Sequence, residues 1–126
     1  MKEVIPTNVK NLIEYKLYKK LSDNAWNILN SMDDKNSAVM GQSFLKAVDS
    51  IGVNIVKGFN EDKNAKKISF YEEAIIDLSE ALDHWLELMV KRNVISKITY
   101  NAFKELEKPL KIKLKSRISS LIKNKK

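Results

Sequence analysis

Five lysines, Lys97, Lys104, Lys108, Lys111 and Lys115, follow one another at spacings of seven, four, three and four residues. Projected at 100° per residue from Phe103, they fall between about 80° and 140° and form one ridge along a helix. Ammonium groups in such a row act as point charges on a phosphate backbone, giving sequence-independent, salt-sensitive binding to RNA or DNA. The same ridge also reads as a solvated helix face, the ordinary fate of a charge run. The chain has only two arginines, Arg92 and Arg117, which argues against bidentate readout of bases. A third use is between copies of the chain, where the ridge would face acidic residues of a neighbour and set register.

Chemistry of other kinds finds little to work with. His84 is the sole histidine, four residues after Glu80 and three before Glu87. Carboxylate di-iron bundles need several glutamates and paired Glu-x-x-His motifs facing inward, so His84 reads as a surface histidine and no metal is expected. No phosphate-cradling glycine loop or nucleophile elbow occurs, and no cofactor is expected. With no nucleophile, base or metal set, the expectation is a protein that is not an enzyme. Trp26, Trp85 and Phe44 suit base stacking, but each lies on an apolar stripe and reads first as core or interface.

The elements that carry these residues are helical. Three glycines and two prolines in 126 residues leave little turn chemistry for a β fold, so the expected class is all-α, an antiparallel up-and-down four-helix bundle. One domain of this length buries roughly two thirds of the surface its unfolded chain exposes. The absence of cysteine removes thiol chemistry and disulfides. Without a signal peptide or a run of about 20 apolar residues, the expected location is cytoplasmic, away from membranes. From Lys104 onward, nine basic residues stand against Glu105 and Glu107, so this stretch holds the whole net charge of +7. An anionic partner should be sought there.

The periodicity predicts an irregular leader over 1–10 and a bundle over 11–126, with helices at about 12–31, 38–59, 67–91 and 97–122. Asn8 or Asn11 would cap the first helix, with Glu14 three residues after Asn11 completing a box-like start; Ser37 would cap the second, a Ser69–Glu72 box the third and Ser96 the fourth. Pro109 should kink or break the last helix. In the third helix the apolar residues from Phe70 to Met89, Trp85 and Leu86 among them, span an arc of about 160°, wider than a simple surface helix needs. That width predicts a second contact, such as another copy of the chain. The opposite arc, with Glu72, Glu73, Asp77, Glu80, Asp83 and Glu87, is acidic.

The second helix is the most apolar, with Met40, Phe44, Ala47, Val48, Ile51, Ile55 and Phe59 on one side. Gly52 predicts close approach of another backbone, Gly58 a helix stop, and Ser50 with Asn54 a polar contact between helices or subunits. Lys46, Ala47, Ser50, Ile51, Asn54, Ile55, Gly58 and Phe59 resemble the signature of the bacterial four-helix-bundle family of 23S rRNA intervening-sequence proteins. Its usual form is a basic residue and Ala, then S-I-x-x-N-I-x-E-G-F. The likeness continues through Phe70, Ala74, Leu78, Glu80 and Leu82, and departs at Leu45, Gly52, Lys57, Ile76 and Asp77. The resemblance implies an antiparallel four-helix bundle assembling as a ring-like homopentamer, without established enzymatic activity. A related branch, the accessory proteins of diversity-generating retroelements, implies nucleic acid and a protein partner.

Overall fold

A computed structural model describes residues 8–124. Four helical rods make up the chain: α1 (Ile13–Ser31), α2 (34–60), α3 (64–91) and α4 (Lys97–Lys123). A 3-10 turn at Val9–Asn11 precedes them, and its cap is Asn8, whose side chain accepts from the Lys10 backbone amide. Among the described residues there is no strand. Each rod packs on its neighbours in sequence and α4 closes back onto α1, the square of an up-and-down bundle.

The stripes read from the sequence meet at the centre. Leu21 and Ala25 of α1, Phe44, Val48, Ile51 and Ile55 of α2, Ala74, Leu78, Leu82 and Leu86 of α3, and Phe103, Leu110 and Leu114 of α4 are fully or almost fully buried. Each large side chain so placed contributes roughly 1.5–3 kcal/mol. Phe44 and Phe103 meet edge to face, ring centroids 5.4 Å apart, tying α2 to α4 across the core.

Several boundaries differ from expectation. The second rod starts at Asp34, since Asp33 accepts from the Asn36 amide at 2.8 Å and takes the capping role expected of Ser37. The third rod starts at Asn64, which leaves Ser69 inside the helix and removes the expected capping box. Its early start lets Lys67 reach back and donate to the Gly58 and Phe59 carbonyls at 3.1 and 2.9 Å. These are end-of-helix acceptors with no partner in their own rod. α2 ends at Asn60, two residues past Gly58 and near the stop expected there, but Gly58 is not a left-handed cap. A Cβ at Gly58 would lie 2.9 Å from the Tyr71 ring, so its small size makes room for that ring. Gly52 likewise accommodates a side chain rather than a backbone, since its Cβ would fall 2.2 Å from Tyr18 Cζ.

Two π turns interrupt the rods, at Ser37–Gly41 in α2 and Glu80–Trp85 in α3. A π turn holds more residues per turn than an α turn, so the phase of everything after it slips. A constant 100° projection smears such a helix into too broad an arc, which accounts for the width expected of α3. Leu86 and Met89 are 0% exposed within one chain and Trp85 is half-buried. The arc therefore does not demand a second copy. At the other end of α3, Asn93 has φ 61° and the Val94 amide donates to the Met89 carbonyl at 2.8 Å, a left-handed cap that asparagine tolerates.

Candidate nucleic-acid interface

The basic ridge rides on α4. Ser96 caps that helix, accepting from the Thr99 amide at 3.1 Å. Pro109 neither breaks nor ends the rod, which is helical on both sides of it. Pro109 and Glu105 are exposed, so the Glu105 carbonyl that loses its partner remains open to water. The lysines thus stay on one continuous helix.

They do not share one environment. Lys97 and Lys108 are exposed, as is Lys115, and Lys111 is half-buried. Lys97 Nζ lies 4.4 Å from the centroid of the Tyr100 ring, a cation–π contact that leaves the charge at the surface. Among the described residues no carboxylate pairs with Lys108, Lys111 or Lys115.

Lys104 is different. Its Nζ stands 2.6 Å from Glu107, 3.1 Å from Asp83 and 3.9 Å from Glu87, and Tyr100 donates its hydroxyl to Glu87. Burial alone would lower the Lys104 pKa, but hydrogen bonds to Glu107 and Asp83 outweigh it and hold the ammonium well above its usual range. Burial raises Glu107. Asp83, although burial opposes it, is held below the usual carboxylate range by Glu107 and Lys104. The acidic side of α3 therefore meets the ridge inside one chain at this point, a pairing that one of the three readings of the ridge placed between copies. Lys104 is a tethered charge, and the presented ridge is Lys97, Lys108, Lys111 and Lys115.

Arg117 leaves the basic pool too. Its Nε and a terminal nitrogen donate to the two carboxylate oxygens of Glu14 at 2.8 and 3.2 Å, and Glu14 is 0% exposed. Tyr71 lies beside the pair, and burial pushes its phenol up to about 12. The sequence offered Glu14 only as the far half of a capping box with Asn11, but α1 starts from Leu12 with no side-chain cap; the partner that holds Glu14 is 103 residues away.

The remaining candidates divide between core and surface. Asn54 makes the helix contact expected of it, its Nδ2 donating to Asp77 Oδ2 at 2.7 Å, and burial raises the Asp77 carboxyl. Ser50 makes none: its hydroxyl donates to the Lys46 carbonyl in its own helix. Gly52, Gly58 and Leu86 are buried within the chain, and Phe70 is half-buried with Lys57 Nζ 5.8 Å from its ring centroid. Trp85 Nε1 donates to Glu80 at 3.4 Å, and the exposed His84 packs against its ring. Among the described residues no cluster of three or more histidines or carboxylates is placed to hold a metal ion. No helix there is long and apolar enough to cross a membrane.

Comparison with known families now decides the lineage. The family described as 23S rRNA-intervening sequence protein matches residues 10–116. The chain belongs to that family. A solved structure of similar fold is that of a protein with unknown function from the S23 ribosomal protein family, from Bacteroides thetaiotaomicron VPI-5482. It is 20% identical, with a TM-score of 0.77 over 84% of this chain and 98% of that one. Curated proteins provide no match. The intervening-sequence family accounts for the bundle and for the α2 signature, where Asn54 and Gly58 now have packing roles.

Proposed function

We propose that this chain is a non-enzymatic, self-assembling cytoplasmic bundle whose α4 surface binds nucleic acid or a nucleoprotein partner. Its assembly would be the ring-like homopentamer that the family resemblance implies. The observation that carries the binding half is the presented row Lys97, Lys108, Lys111 and Lys115 on one continuous helix. Four ammonium groups over about 27 Å of helix, at 1.5 Å per residue, match a polyanion better than a small acidic ligand. With Arg117, the arginine nearest the row, tied to Glu14, the row supports contact with the phosphate backbone and not with base edges.

Titrating a generic RNA and a generic DNA duplex at two salt concentrations tests this. Binding should weaken steeply with salt, and the triple variant Lys108→Glu, Lys111→Glu, Lys115→Glu should abolish it while the helical content is kept. No binding at low salt would remove the nucleic-acid half. A second reading, a structural oligomer or protein adaptor with the ridge used between copies, takes its support from the Lys104–Asp83 ion pair, in which a ridge lysine meets an acid of α3 within one chain. It predicts that the same triple variant changes the assembly mass.

A further inference from the structure

Five large isoleucines stand more than half exposed: Ile13, Ile76, Ile98, Ile112 and Ile122. Ile112 lies between Lys108 and Lys115 on adjoining turns, and Ile13 between Lys10 and Lys16. Ile76 alone, 58% exposed on the outer side of α3, has acidic neighbours on both adjoining turns. Glu72 and Glu73 precede it, Glu80 follows, and all three are exposed. It is an apolar knob in an acidic collar.

The opposite polarity occurs between α1 and α2. There an open groove of about 480 Å³ runs past Trp26, Leu29, Leu45 and Val53. A second, of about 410 Å³, continues from Val53 past Tyr15, Tyr18 and Val56. Its floor lies at Gly52, and the Tyr18 ring rests where a larger side chain would have stood. Trp26 is 47% and Val53 50% exposed, an apolar pair left in water by the single chain. Lys46 and Lys57, both exposed, bracket Val53 along α2 and line the two halves of the groove. Asp49 also lines it, half-buried, with burial raising its carboxyl.

We propose that copies of this chain join head to tail, Ile76 of one protomer seating in the α1–α2 groove of the next. This rests on the self-assembly half of the function proposed above and names the surface that performs it. Charge complementarity identifies the occupant: the collar of Glu72, Glu73 and Glu80 meets Lys46 and Lys57, whereas the lysine-flanked Ile112 would be repelled. Knob and groove are different surfaces, so the contact is heterologous and propagates into a ring or filament instead of stopping at a two-fold pair. The presented α4 lysines take no part and stay available.

Two variants and their mixture test it by light scattering. Val53→Asp spoils only the groove and Ile76→Asp only the knob, and both positions are exposed, so each variant should keep its helical content and run at the protomer mass of 14.5 kDa. Mixed in equal amounts they retain one good surface each and should form a pair of twice that mass and nothing larger. Lys46→Glu with Lys57→Glu should likewise dissociate the assembly, and Glu72→Lys with Glu73→Lys on its partner should restore pairing. The inference is overturned if either aspartate variant keeps the assembly mass of the unaltered protein, or if the mixture stays monomeric. In that case assembly through another face survives. An unaltered protein that is itself monomeric at high concentration overturns both this contact and the self-assembly reading, and leaves the binding of RNA to be judged separately.

Discussion

Arg117 and Lys108 sit on the same helix and carry the same charge, yet one is part of the interior and the other part of the surface. Arg117 reaches across to a fully buried Glu14 and makes two hydrogen bonds. Lys108 is exposed, and among the described residues it has no acidic partner. Lys104 is intermediate, with three carboxylates around it at the edge of the bundle. Net charge counted along the chain therefore overstates what α4 offers a partner, because folding sorts identical charges into tethered and presented ones.

The sharpest way to break that contrast is to cut the interior pair. Arg117→Ala leaves the Glu14 carboxylate buried without a partner, and should cost about 3–5 kcal/mol in denaturant unfolding. A loss under 1 kcal/mol would place Arg117 with the surface lysines. Lys104→Ala should cost about 1 kcal/mol or less, being a partly solvated cluster, and should leave RNA affinity nearly unchanged. Lys108→Ala or Lys115→Ala should hardly move stability, within about 0.5 kcal/mol. Each should lower the slope of log affinity against log salt by about 1 on duplex DNA.

The smallest effect probes the acidic side. Asp77 has its folded pKa raised by burial, so its contribution to stability is present below the unfolded pKa and is lost as pH rises through the folded one. Asp77→Asn, which can still accept from Asn54, should raise the melting temperature at neutral pH. The gain should shrink toward pH 4; a constant gain across that range would assign it to packing and not to charge.

How far the sequence could show this depends on the reach of each signal. Ser96 was legible as a cap because a cap acts over three residues, and the core stripes were legible because burial repeats each turn. Ser37 and Asp33 are equally good caps locally. Asp33 prevails because the rod starts earlier than the apolar pattern does. Ser69 and Glu72 have capping-box spacing, but Lys63 and Asn64 begin the helix a turn and a half before them with no side-chain cap. The Lys67 contact to the end of α2 belongs to that earlier start, and no local rule foretells it. Glu14 reads locally as the far half of a capping box with Asn11, because its real partner, Arg117, lies beyond the reach of any local rule. Lys97, Lys108, Lys111 and Lys115 share one helix, as their spacing requires, while the tethering of Lys104 depends on the phase of a different helix.

That phase has a further bearing on the ridge. Uniform spacing would leave Asp83 and Glu87 on the outward line of Ile76, and the π turn at Glu80–Trp85 is what swings them toward α4. One surplus residue in α3 thus sets how firmly Lys104 is tied to that helix. Removing His84 should let the rod wind as an ordinary helix, with Leu86 and Glu87 kept in place and Asp83 turned outward, loosening Lys104 from α3 without touching a single basic residue while Glu107 on its own helix still holds it.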